Sequence, residues 1–66
     1  MSIRAVLDSL TDEQRRQLMY AFEQEFAQYI ELSDGRFVGV NVQPIKHLEI
    51  LESAGQWSLG VVKGKE

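Results

Sequence analysis

The strongest constraint in this chain is a change of period. From Ile3 to Ile30 the apolar residues recur at helical spacing, whereas from Phe37 onward they alternate, which predicts helices followed by sheet. Ile3, Val6, Leu7 and Leu10 fall at i, i+3, i+4 and i+7, the pattern of a short helix over residues 2–9 with Ser2 as its cap. Thr11-Asp12-Glu13-Gln14 then reads as a capping box opening a second helix at residue 12, with two carboxylates at the positive end of the helix dipole.

Good helix formers continue to Ser33-Asp34-Gly35, where a glycine able to take positive φ offers a stop. A helix of roughly 21 residues would be about 31 Å long. Its apolar stripe consists of Leu18, Met19, Phe22, Phe26, Tyr29 and Ile30. A domain of this size has a radius of gyration of about 11 Å, too small to cover such a stripe, so a second copy is expected to cover part of it. That expectation makes the protein a homodimer.

Phe37-Val38-Gly39-Val40-Asn41-Val42 and Trp57-Ser58-Leu59-Gly60-Val61-Val62 alternate as β-strands do. Gly39 and Gly60 leave flat places in them, where a large side chain can lie close. Residues 44–54 support two readings. Pro44 at a first helical position, Ile45, Leu48 and Leu51 on one side, and Gly55 past the end describe a third helix, which Leu, Glu and Ala favour. Read as a strand, the segment puts Leu48 and Ile50 on one face and completes a three-stranded meander. The expected class is α+β: a short and a long helix packed on a small two- or three-stranded antiparallel sheet, with or without that third helix. Its core would hold Leu7, Leu18, Phe22, Phe26, Ile30, Val38, Val40, Leu48, Leu51 and Leu59.

At 66 residues the chain makes a single small domain of residues 1–66, and without cysteine it has no disulfide or thiolate zinc site to stabilise it. The composition predicts no metal site and no cofactor, because neither G-x-G-x-x-G nor P-loop spacing occurs. His47 is the single histidine, and nothing in the spacing of Ser53, Ser58 and Glu49 builds a nucleophile and base around it, so the expectation is a protein that is not an enzyme. Arg4 and Asp8 interrupt the N-terminal apolar residues, and no segment reaches the ~20 apolar residues of a bilayer span. A cytoplasmic protein is therefore expected.

The charge is uneven: residues 1–34 hold three Arg against seven Asp and Glu, while residues 35–66 hold four basic against three acidic groups. A solvated helix face is the simplest account of that acidity. Tyr20 is the exception to the stripe. In helical projection it lies beside Gln24, Ala27 and Glu31, away from the apolar arc. These four residues, with Trp57 as a further anchor, form the expected partner-binding surface of a small protein-binding regulator or inhibitor that occupies a surface of a larger protein. Its scale is that of bacterial or phage accessory proteins.

One local motif supplies the alternative. His47-Leu48-Glu49-Ile50-Leu51-Glu52-Ser53-Ala54-Gly55 resembles the end of the recognition helix in winged-helix repressors of the ArsR type, whose pattern is H-L-x-x-L-x-x-A-G followed by a β-wing; the nine-residue stretch fits it at all five specified positions. The resemblance implies a DNA-binding transcriptional regulator using residues 44–65. Lys46 or His47 would lie near phosphate or base edges, and a wing from Trp57 to Lys65 would touch the backbone through Lys63 and Lys65.

Overall fold

The structure, a computed structural model, describes residues 2–63. Helices α1 (Ile3–Ser9) and α2 (Asp12–Gln24) are followed by strands β1 (Gln28–Glu31), β2 (Arg36–Val40), β3 (Leu48–Ala54) and β4 (Trp57–Val62). The α+β class is as expected, and all strand pairings are antiparallel in the order β1-β2-β4-β3.

Both helix starts follow from local chemistry. The Ser2 hydroxyl accepts from the Ala5 amide, and at α2 Thr11 and Gln14 satisfy each other's backbone N–H groups as a reciprocal capping box. Arg15 joins the two helices. Its guanidinium donates to the carbonyls of Leu7 and Asp8 at the C-terminal end of α1, while its other arm pairs with Asp12 at 2.6 Å.

The long helix ends early. Glu25 takes a left-handed conformation with φ 62°, its N–H reaches the Phe22 carbonyl, and the Phe26 N–H donates to the Ala21 carbonyl at 3.1 Å. This is a Schellman stop, the closure usually given to glycine. The expected extension to residue 32 is thereby corrected: Gln28–Glu31 is a strand, in which Tyr29 and Ile30 satisfy β preference. With α2 at 13 residues, the length that called for a second copy is absent.

Residues 44–54 are likewise not a helix. β3 runs through Leu48–Ala54, and a register shift between Ile50 and Glu52 accommodates the extra residue of a bulge. Pairing with β4 outweighs the helix preference of Leu and Glu, because a strand buries Leu48 and supplies backbone partners along its length. Gly35, at φ 90°, closes the β1–β2 turn, and Gly55, at φ 66°, occupies the first position of the two-residue β3–β4 hairpin.

The sheet has two different faces. On the first, Val38, Val40 and Leu59 pack beneath Ile3, Val6, Leu10, Leu18 and Ala21 of the helical layer, with Leu7, Phe22, Ile30 and Trp57 around them. On the second, aromatic side chains lie over glycines. Phe37 is opposite Gly60 and Tyr29 opposite Gly39, and the rings of Tyr29 and Phe37 meet edge to face at 5.4 Å. The flat places at these glycines are thus occupied by large side chains, as their positions in the strands suggested.

The second face is covered by chain, not helix. Strands β2 and β3 both run antiparallel to β4, so residues 41–47 must travel back along the sheet between them. At one end of this crossover the Asn41 N–H donates to the Gln56 carbonyl and the Asn41 side chain to the Phe26 carbonyl. At the other, the Lys63 N–H donates to the His47 carbonyl. Along the way Val42 closes over Gly39. Phe37 is buried as completely as Leu18.

Two residues expected in the core lie outside it. Phe26 is displaced from the stripe by the stop at Glu25, and Leu51 is turned out beside the bulge; they are 42% and 58% exposed.

Candidate functional site

Among the large apolar side chains left in solvent, Tyr20 and Phe26 form a pair and Ile45 lines an open groove. Tyr20, on the outer side of α2, is 59% exposed, and its ring meets that of Phe26 edge to face at 5.9 Å. Phe26 precedes Ala27, which lines an open groove of about 420 Å³ with Tyr29, Asn41, Val42, Gln43, Ile45, His47 and Leu48. Ile45, on the crossover, is 55% exposed. The surface is therefore built from α2, the connection after it and the crossover. Asn41, in the left-handed region at φ 58°, bonds to Phe26 and ties those last two pieces together.

Beside this groove lies the outer edge of β1. The Leu32 N–H donates to the Arg36 carbonyl at 2.7 Å, which fixes the alternation of the β1–β2 ladder. Gln28 and Ile30 direct their backbone groups toward β2, and Tyr29 and Glu31 direct theirs outward. β3 is the other edge, and it is guarded. It carries the bulge, and Glu49 and Glu52 lie exposed along it. The Leu48 N–H at its start is turned onto the Ile45 carbonyl at 2.9 Å.

The expected partner-binding residues separate into groups. Tyr20 and Gln24 remain exposed on α2, Ala27 lines the groove, and Glu31 is exposed at the end of β1, so four of them stay on connected elements although no single helix carries them. Trp57 is elsewhere. It stacks on Phe22 at 6.0 Å under the helices and lines another groove with Ile3, Arg4, Leu7, Asp8 and Ala54. Phe26 and Ile45 were not anticipated at the surface. In sequence Phe26 belongs to the apolar stripe, and Ile45 has the spacing of a buried helical position; the extended path of the crossover is what exposes it.

The residues of the DNA-binding alternative fall at one corner. Lys46 and His47 form the turn before β3, Lys63 follows β4, and Lys65 lies outside the described residues. The helix implied by the winged-helix resemblance is absent: the matching residues form β3 and its turn.

One electrostatic feature stands out, at the β1–β2 turn. The Arg36 side chain donates to Asp34 at 2.8 Å and its backbone N–H donates to the same carboxylate, and together these hold Asp34 below the ordinary carboxylate range. Among the described residues no group of three or more His, Cys, Asp or Glu side chains is placed to hold a metal ion, and no helix is long and apolar enough to cross a membrane. Comparison with known proteins finds no matching family model, no matching curated protein and no matching solved structure.

Proposed function

We propose that this protein is a protein-binding regulator or inhibitor that works by covering a surface of a larger partner. The observation that carries the reading is the exposed Tyr20–Phe26 pair, tied through the Asn41–Phe26 hydrogen bond to an open groove that exposed Ile45 lines, in a domain that buries its other aromatic side chains more fully. Scattered single apolar residues on a surface need no explanation. An exposed tyrosine paired with an exposed phenylalanine does, because aromatic side chains supply a large share of interface energy.

The reading departs from the sequence expectation in one respect: the surface is centred on Tyr20, Phe26 and Ile45, and Trp57 is not part of it. Cross-linking in the source cell tests it. A photoreactive residue placed at Tyr20 or Ile45 should give a discrete protein adduct, whereas the same residue at Glu13, near the start of α2, should not. Equal labelling at all three positions, or none at any, overturns the reading.

A further inference from the structure

We infer that the partner contributes an extended, basic segment that pairs with the outer edge of β1 and becomes a fifth strand of the sheet. The inference rests on the protein-binding reading and names the chemistry of what binds.

The two edges of the sheet make the argument. β3 has the features by which edge strands refuse further pairing: a bulge, exposed carboxylates and a first N–H turned back on its own chain. β1 lacks the bulge and the turned-back N–H, and its one exposed carboxylate, Glu31, stands at its end. Its register with β2 is regular over Gln28–Glu31, it contains neither proline nor lysine, and the backbone N–H and carbonyl groups of Tyr29 and Glu31 face outward. An added strand would take up these groups. Every second side chain of that strand would fall on the face carrying Tyr29, which lines the groove.

Charge decides the occupant. Glu23 and Glu25 precede this edge and Glu31 ends it, all exposed, within a half of the chain that carries three basic against seven acidic groups. A second copy pairing antiparallel through its own β1 would set Glu31 diagonally beside its duplicate across a strand of four residues. A lysine- or arginine-bearing strand meets the same carboxylates as partners. Apolar residues at its alternate positions suit a groove lined by Ala27, Tyr29, Val42, Ile45 and Leu48.

The test is a titration of the isotope-labelled chain with three synthetic octapeptides: alternating Lys and Val, alternating Glu and Val, and alternating Lys and Pro. Amide shifts and hydrogen exchange are read residue by residue. The Lys–Val peptide should protect the amides of Tyr29 and Glu31, the Glu–Val peptide should bind roughly tenfold more weakly or worse, and the Lys–Pro peptide should give no protection. Glu31→Pro removes an outward N–H and leaves the β1–β2 ladder its bonds, so it should abolish the protection while the fold persists. Glu31→Lys keeps the N–H and should weaken the Lys–Val peptide alone.

Failure of the Lys–Val peptide to protect Tyr29 and Glu31 overturns the inference, as does equal binding of the Glu–Val peptide. Shifts confined to Tyr20, Phe26 and Ile45 would overturn strand addition and leave the protein-binding reading in place. Protection of both amides that grows with protein concentration, without any peptide, would make a second copy the occupant and overturn the basic one.

Discussion

The two faces of the sheet each bury large side chains completely, by different means. The helical face is closed by interlocking aliphatic side chains from two helices, and the other by aromatic side chains laid on glycines under a single extended crossover. The difference teaches that a short chain can seal a second face without a second layer, provided the strands are flat enough for rings to lie close and a loop is tied down at both ends. It also leaves that face open beside the loop, where the groove runs.

If the ring-and-glycine face is as structural as the helical one, Phe37→Ala should destabilise by about 3–5 kcal/mol, at least as much as Leu18→Ala at about 2–5 kcal/mol. Chemical denaturation of both variants measures this. A Phe37 cost near zero would make the crossover a mere cover. Gly60→Ala should cost roughly 1–3 kcal/mol, since a methyl there meets the Glu49 carbonyl and stands 2.7 Å from the Phe37 ring. In the same denaturation assay Gly39→Ala, whose neighbours lie at 2.9 to 3.1 Å, should cost less.

The comparison also has a junction, where the chain leaves the helical layer. Glu25→Gly should stabilise by about 0.5–1 kcal/mol by relieving the left-handed residue, visible as a raised thermal midpoint. No change there would mean that the Schellman closure carries no backbone strain.

The smallest effect belongs to the turn shared by both faces. Asp34 titrates lower when folded, so its contribution is present above the ordinary carboxylate range and is lost as pH falls through that range toward the lower folded value. The gap in thermal midpoint between the parent and Asp34→Asn should therefore be small at neutral pH and close on acidification. Because the pair is exposed, a gap that widened toward acid would assign the turn's pH response to another group.

Much of this architecture is legible in the sequence where local chemistry acts alone. Thr11 and Gln14 announce the start of α2, and Gly35 and Gly55 mark breaks, which the sequence reads as helix ends and the structure uses as hairpin turns. Alternation around Gly39 and Gly60 marks β2 and β4. The end of α2 is not legible, because Glu25 is a good helix former placed in a conformation that tertiary packing demands. β3 reads as either helix or strand for a similar reason: its partner β4 supplies what Leu48, Glu49 and Leu51 do not specify. Of the candidate site, Tyr20 stands out by its phase on the helix. Phe26 and Ile45 are hidden, since their exposure depends on that early stop and on the path of the crossover.

The crossover also sets an order of events. Within β1–β2 and β3–β4 the paired residues are close in sequence, so each hairpin can form by closing a short loop. The seam between β2 and β4 joins Val40 to Trp57 and Arg36 to Val61, and it cannot close until residues 41–47 have folded back. The central seam, not either edge, therefore holds the longest sequence separations in the sheet, and its closure carries the largest loop entropy.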